Sequence, residues 1–210
     1  MAADSSGRTF SEYLSHHLQN LVYGKLPEGY ERINKDGTIE VLQNDTWTFA
    51  YSSAEVAEMG FWAFHVDTLF FSITLGAIFL FIFARAAKNF SMEKPTKLQS
   101  FVEMLVDFID GTVKGTFKSA KNTLVAPMAL TIFVWVLLMN LMDLVPVDLI
   151  PYPAELLGVP YLKVVPTTDI NLTAALALSV FGLYLFFSIR SKGLVGFIKS
   201  ITLHSFGPWM

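Results

Sequence analysis

Three carboxylates stand close together where a long apolar segment ends. They are Asp143, Asp148 and Glu155, and the 21 residues of 122–142 carry no charged side chain. Lys163 is the only basic residue in the loop that follows, so ion pairs cannot neutralise all three acids. Asp143 also falls at the C-terminal end of a predicted helix, where a negative charge opposes the helix dipole. The pattern predicts a hydrated, negative vestibule that attracts cations or protons.

Other polar side chains lie at the ends of the apolar segments. Asn140 is three residues before Asp143 and shares its helix face. Asp67 and Asp169 each directly precede an apolar segment, and Asn171 follows Asp169 closely. Two interpretations stay open for these two aspartates. Each could cap the first turn of a helix, where the dipole favours an anion, or each could line a water-filled path.

The apolar segments are long enough to cross a membrane. Windows without any charge cover 68–84, 122–142 and 170–189. Since roughly 20 helical residues span a hydrocarbon core of ~30 Å, each window predicts a transmembrane helix. Residues 61–66 extend the first one, with Asp67 at the membrane interface. Buried helices of a large soluble protein are the alternative, but too little amphipathic chain remains to cover them.

Basic residues are unevenly distributed between these windows. Lysine and arginine number four in 1–67, seven in 85–121, one in 143–169 and three in 190–210. Because basic loops stay in the cytoplasm, the counts place 85–121 and the C-terminal tail inside. The N-terminus and the acidic loop are then outside.

Shorter patterns predict three further elements. Residues 8–22 place apolar side chains at helical spacing, which indicates a short interfacial helix. In residues 30–43 the pair Asp36–Gly37 separates two alternating flanks, which indicates a β-hairpin. Residues 97–118 combine an apolar stripe with a charged face. That pattern is typical of an amphipathic helix on the cytoplasmic membrane surface or against partner subunits.

The membrane segments carry a packing motif but no cofactor motif. Ala175, Ser179 and Gly182 share one face of the third window, where small residues let another helix approach closely. We find no Gly-rich phosphate loop, no pair of histidines one helical turn apart and no cysteine. The sequence contains no cluster of basic residues that would indicate binding to nucleic acid. The sequence therefore predicts no metal or cofactor site and no active site for ATP.

Together these features predict an all-α integral membrane protein with one small extramembrane β-hairpin. The predicted segments are an outer N-terminal region, 1–60; a first membrane helix, 61–84; a cytoplasmic amphipathic region, 85–121; a second membrane helix, 122–143; an outer acidic loop, 144–169; a third membrane helix, 170–189; and a cytoplasmic tail entering a further membrane helix, 190–210.

Five stretches of the sequence have a familiar form. They are "LTIFVWVLLMNLMDLVPVDLIPY" at 130–152, "VVPTTDINLT" at 164–173, "AFHVDTLFFS" at 63–72, "YLSHHLQNL" at 13–21 and, more loosely, "KSITLHSFGPW" at 199–209. These stretches closely resemble the a subunit of bacterial F-type ATP synthase. Residues 24–58 match no motif of that family and are expected to be an insertion.

The resemblance implies the membrane stator of a rotary ATP synthase in a bacterial inner membrane, with a periplasmic N-terminus. Such a subunit lies beside a ring of c subunits, together with the b subunits of the peripheral stalk. It offers protons two aqueous half-channels, and their flow drives ATP synthesis elsewhere in the complex. Ser200 falls on the cytoplasmic exit side, where the family often carries an acid. Carried over by position, the outer vestibule comprises Asp143, Asp148, Asn140, Asp169, Asn171 and Asp67.

The family continues past "FGPW" into two long tilted helices that bear an essential arginine. We therefore expect this chain to lack that part, and Arg190, at the cytoplasmic end of the third span, is no substitute. The competing function is a structural membrane anchor of a respiratory or transport complex. Asn140, Asp143 and Asp148 discriminate between the two, because an anchor has no need of them.

Overall fold

A computed structural model describes residues 18–34, 37–116, 124–146, 148–159 and 161–204. The chain divides into two compact units, Met1–Pro166 and Thr167–Met210. The strands are β1 Val22–Leu26, β2 Glu31–Ile33, β3 Ile39–Val41, β4 Thr46–Phe49 and β5 Phe64–His65. The helices are α1 Ser53–Met59, α2 Val66–Lys88, α3 Lys97–Thr116, α4 Val125–Leu141, α5 Pro151–Leu156 and α6 Ile170–His204.

Within the described residues, three helical stretches are long and apolar enough to cross a membrane. They are α2, the stretch Val125–Leu144 that continues α4, and the stretch Ile170–Arg190 of α6. The helix α2 begins at Val66 and not at Phe61 as expected, because Phe64–His65 pairs with β1 as strand β5. It extends to Lys88 instead, and its 23 residues measure about 34 Å.

The helices α2, α3 and α4 pack against one another within the first unit. The indole of Trp135 lies on Gly76 of α2, where an added Cβ would come within 3.2 Å of the ring. Its Nε1 donates a 2.9 Å hydrogen bond to the carbonyl oxygen of Ser72, one turn earlier. On α3, Phe108 meets Phe133 of α4 with ring centroids 5.9 Å apart. The missing side chain at Gly76 therefore sets how closely α2 and α4 approach.

The predicted antiparallel pairing of residues 30–43 is present. Strands β2 and β3 pair with Arg32 opposite Glu40, and Gly37 has a φ of +82° that favours glycine. The sequence did not predict the second sheet, of order β4-β1-β5. Strand β1 alternates buried and half-buried side chains, and its buried face packs against α1. An all-α description is thus incomplete. The core of this region comprises Val22, Leu26, Leu42, Ala50 and Met59.

A buried ion pair joins the hairpin to α1. Arg32 is 7% exposed and Glu55 is 2% exposed, and Arg32 Nε lies 3.3 Å from Glu55 Oε1. The guanidinium also donates to Thr48 Oγ1 at 3.0 Å and stacks on the ring of Tyr51, 4.0 Å from its centroid. The N–H of Tyr51 donates to Glu55 Oε2 at 2.9 Å. Because both charges are paired and hydrogen-bonded, their burial is tolerated.

The second unit contains α6, whose 35 residues bend at Gly193, where φ is +71°. The most apolar window of α6 buries none of its residues within the chain. Positions 8–17 of the predicted helix over 8–22 lie outside the described residues. The described end of this prediction is wrong, because 19–21 are not helical and Val22 begins β1, where it pairs with His65 of β5. The predicted helix over 97–118 corresponds to α3 up to Thr116, and the two positions after it are likewise outside the described part.

Candidate functional site: the polar ends of the membrane helices

Asp67 lies in the first turn of α2 and is 1% exposed. Its Oδ2 accepts the backbone N–H of Leu21 at 2.8 Å and that of Lys163 at 3.0 Å. Its Oδ1 accepts the N–H of Thr68 at 2.8 Å and the side-chain amide of Asn20 at 3.3 Å. Four donors saturate the buried carboxylate. Three distant chain segments therefore meet at the beginning of α2.

Two further hydrogen bonds reinforce this junction. The side-chain amide of Asn20 also donates to Thr68 Oγ1 at 3.1 Å. The hydroxyl of Tyr161 donates to the carbonyl oxygen of Tyr51 at 2.9 Å. The segment that follows α5 is therefore bound at two points of the first unit, to Tyr51 of the N-terminal region and to Asp67 of α2.

Asp143 and Asp148 face solvent. Asp143 lies in the 3₁₀ turn Met142–Leu144 that follows α4, and Asp148 lies in the turn before α5. The side chain of Asn140 is also exposed, and its Nδ2 donates to the carbonyl oxygen of Val136 at 2.8 Å. Two exposed carboxylates thus follow the C-terminal end of an uncharged 17-residue helix, whose dipole adds a further partial negative charge.

Asp169 has the geometry of a helix cap. It is 5% exposed and directly precedes α6, and its Oδ1 accepts the N–H of Asn171 at 2.9 Å. Its carbonyl oxygen accepts the N–H of Thr173 at 3.1 Å, the first helical bond of α6. Asn171 itself is exposed. Of the two interpretations left open by the sequence, the contacts of Asp169 have the form of capping.

The remaining sequence-predicted positions lie on α6. Ala175, Ser179 and Gly182 are all exposed, and the Ser179 hydroxyl donates to the carbonyl oxygen of Ala175 at 2.7 Å. A Cβ added at Gly182 would meet nothing within 4 Å. The side chain of Ser200 is outside the described part of the chain. The small-residue face therefore stays open to another helix.

Sequence reasoning missed the partners that hold these ends in place. Asn20 and Tyr161 carry no motif of their own, and the backbone N–H groups of Leu21 and Lys163 leave no trace in a side-chain pattern. Trp135 gives no signal in the sequence beyond its place in an apolar window. One usable signal was present for Asn20, because it lies inside the family-like stretch 13–21.

The sequence profile described as ATP synthase A chain matches residues 69–210. The chain belongs to the ATP synthase A chain family. Proteins named ATP synthase subunit a support this membership. That of Marinomonas sp. (strain MWYL1) is 49% identical over 211 residues, which cover 96% of this chain and 69% of that protein. That of Stutzerimonas stutzeri (strain A1501) is 53% identical, over 96% of this chain and 68% of that protein.

A third relative aligns with the whole chain. Subunit a of Marinobacter nauticus aligns over 210 residues at 49% identity, covering 100% of this chain and 71% of that protein. That alignment spans residues 24–58, whereas the profile begins at residue 69, so the insertion expected at 24–58 stays a prediction. The chain spans about two thirds of the length of such members of the ATP synthase A chain family.

Membership in the ATP synthase A chain family confirms the resemblance predicted from the motifs. It makes the chain a membrane subunit of the ATP synthase, in agreement with the three apolar helices. The relatives do not support the competing function of a structural anchor. The exposed acids Asp143 and Asp148 and the junction at Asp67 all fall on this membrane subunit.

Proposed function

We propose that the chain conducts protons as the stator beside a ring of c subunits, together with the b subunits of the peripheral stalk. The observation that carries this proposal is the exposure of Asp143 and Asp148 at the C-terminal end of α4. A capping role would require an acid at the other end of the helix. Exposed acids there instead produce a negative, hydrated mouth, in which the local proton concentration rises.

The proton path begins, in this proposal, at the outer side of the membrane. Asp67 binds both Leu21 and Lys163, so the N-terminal region and the segment after α5 lie at the same end of α2. The lysine and arginine counts independently predict that both regions lie on the outer side of the membrane. The seven basic residues of 85–121 are then in the cytoplasm. The subunit would then lie in the bacterial inner membrane with its N-terminus in the periplasm.

The acids divide into two groups by their contacts. Asp143 and Asp148, with Asn140 nearby, would hydrate and charge the outer half-channel. Asp67 would hold the beginning of α2 and Asp169 the beginning of α6, since both carboxylates are buried and accept N–H donors. Neutralising an exposed acid should then lower the rate of proton conduction only in part, because protons can pass it through water. Ser200 would fall on the cytoplasmic exit side.

The helix α3 would lie at the cytoplasmic membrane surface. Its Ile109 is buried against the chain's own helices, whereas Phe101, Met104 and Phe108 stay more than half exposed. The charged side of α3 carries the ion pair between Lys114 and Asp110, and this hydrogen bond raises the pKa of Lys114. Ile109 is thus covered within the chain, and the exposed apolar side chains are left for lipid or a neighbouring subunit.

ATP-driven proton pumping in inverted vesicles tests the conducting role against the anchor. In the complete complex, Asp143→Asn should leave assembly and ATP hydrolysis intact and lower the pumping rate about twofold at low ionic strength. The exposed acid Asp107 of α3 offers a matched control, and Asp107→Asn should pump like the wild type. A chain that merely anchors the complex would tolerate both substitutions equally.

A further inference from the structure

Aromatic side chains cover one face of the three-stranded sheet. Strand β1 pairs with β4 so that Tyr23 lies opposite Phe49 and Lys25 lies opposite Trp47. Tyr23 also lies opposite Phe64 of β5. Cross-strand partners project to the same side of a sheet, and so do alternate residues of one strand. All five side chains therefore share one face.

The other face of the same sheet is the buried one. Val22 and Leu26 are 1% and 0% exposed, and a Cβ added at Gly24 would come within 2.5 Å of the Met59 sulfur. Thr48, between the two aromatic residues of β4, accepts a hydrogen bond from the buried Arg32. The aromatic side chains are therefore not needed to cover the core of this region.

The exposed rings form one continuous surface. Trp47 lies at its centre, with ring centroids 5.8 Å from Tyr23, 6.3 Å from Phe64 and 6.2 Å from Trp62. Phe61, which is 93% exposed, extends it from Trp62 at 5.9 Å. An exposed aromatic patch of this kind marks an interaction surface. The aromatic face is defined here as Tyr23, Trp47, Phe49, Phe61, Trp62 and Phe64.

The aromatic face continues directly into a membrane-spanning helix. Phe64 is two residues before Val66, the first residue of α2. The first turns of α2 then expose Leu69, Phe70 and Ile73, by 45%, 60% and 65%. The chain leads without interruption from exposed rings to exposed aliphatic side chains. The surroundings of the aromatic face must therefore be continuous with the surroundings of the exposed first turns of α2.

The one basic residue on this face is paired. Lys25 Nζ lies 2.6 Å from Asp45 Oδ2, and this hydrogen bond and charge hold the pKa of Asp45 below its usual value. The pair lies at the edge of the sheet, at the start of β4. The face therefore offers rings at its centre and a neutralised ion pair at its rim. That arrangement suits a surface between lipid headgroups and acyl chains.

We propose that the aromatic face lies in the interfacial layer of the lipid bilayer, at the end of the membrane where α2 begins. Tryptophan and tyrosine favour this layer because their rings are apolar and their N–H or O–H groups remain hydrated. The sheet then fixes the depth of α2 in the bilayer. It also holds the junction at Asp67 next to the membrane surface.

Photo-crosslinking in the assembled complex tests this placement. Phe61 is replaced by p-benzoylphenylalanine, a conservative change at a side chain that packs on little else, and membranes of native lipid composition are irradiated. Mass spectrometry then identifies each adduct. Ala54 is the matched control, because it is exposed on α1, on the opposite side of the sheet. The lipid adduct from position 61 should exceed that from position 54 by about tenfold.

A protein adduct from position 61, or equal lipid adducts from positions 61 and 54, would overturn the proposal. The first result would show that another subunit covers the aromatic face. The second result would show that the aromatic face has no preferred depth in the bilayer. A second probe at Phe49, on strand β4, is measured in parallel and should give the same lipid adduct. If the complex fails to assemble with the probe at 61, the result at position 49 decides.

Discussion

The backbone N–H of Lys163 donates a 3.0 Å hydrogen bond to the carboxylate of Asp67, a residue 96 positions earlier. The same oxygen accepts the N–H of Leu21. One side chain at the beginning of α2 thus holds both the N-terminal region and the segment that follows α5. A carboxylate that looked in the sequence like either a cap or a channel residue is, by its contacts, a junction between three parts of the chain.

Removing the charge of Asp67 should loosen both segments together. In Asp67→Asn, the amide NH₂ replaces one of the accepting oxygens, so buried N–H groups lose a partner at a cost of about 1–3 kcal/mol. We expect hydrogen exchange at the amides of Leu21 and Lys163 to accelerate by at least about tenfold. Hydrogen–deuterium exchange with mass spectrometry on peptides around positions 21 and 163 measures this.

Asp148→Asn is the control for this experiment, because Asp148 is exposed. It should leave exchange in both peptides unchanged. Unaltered protection at both amides in Asp67→Asn would show that the carboxylate does not hold these segments.

The contact between Gly76 and Trp135 should be sensitive to added volume. A Cβ at Gly76 already approaches the indole to 3.2 Å, so Gly76→Val overpacks the boundary between α2 and α4. The expected loss of stability is about 1–3 kcal/mol. The thermal inactivation temperature of the purified complex should fall accordingly.

Gly111→Ala provides the comparison for Gly76, since nothing lies within 4 Å of the added methyl group on α3. Its stability should equal or slightly exceed that of the wild type, because alanine favours a helix more than glycine does. Equal thermal inactivation of Gly76→Val and the wild type would contradict the close approach of α2 and α4.

The buried pair of Arg32 and Glu55 should stabilise the N-terminal sheets. Arg32→Met leaves the Glu55 carboxylate buried without its cation, which costs about 3–5 kcal/mol in comparable cases. Limited proteolysis of residues 22–59 in membranes should become much faster. Lys25→Met, which breaks only the exposed pair with Asp45, should have a far smaller effect. Similar cleavage rates in the two variants would show that the buried pair contributes little.

The distribution of basic residues predicts the membrane topology. A reporter fused after residue 120 should remain cytoplasmic, and one fused after residue 155 should be exported. An alkaline phosphatase fusion, active only outside the cytoplasm, distinguishes the two. Activity of the fusion at 120 would reverse the orientation and move Asp143 and Asp148 to the inner side.

The membrane helices and the family could be predicted from the sequence because both depend on long contiguous stretches of residues. Uncharged windows specify helices such as α4 wherever they occur, and the motif around Asp143 is specific. The partners of Asp67 could not be predicted, since two of them are backbone N–H groups from distant segments. The three-stranded sheet was also missed. Its strand β1 contains Gly24 and Lys25, and β5 has only two residues, so neither gives a clear alternation.

Arg32 illustrates the same limit. In the sequence it counted only as one positive charge of the N-terminal region. Its partner Glu55 is 23 residues away on another element, and only the folded hairpin brings the two together. Pairings between distant charged residues depend on tertiary structure, whereas the charge balance that sets topology does not.

Passive proton conduction tests the central claim most directly. In membrane vesicles stripped of the catalytic head, we expect Asp143→Asn/Asp148→Asn to conduct about two- to threefold more slowly than the wild type at an ionic strength of about 0.01 M, where the Debye length is ~30 Å. The difference should shrink at about 0.15 M, where the length falls to ~8 Å. Asp107→Asn should match the wild type at both. Wild-type conduction by the fully assembled double variant at low salt would contradict a charged outer vestibule.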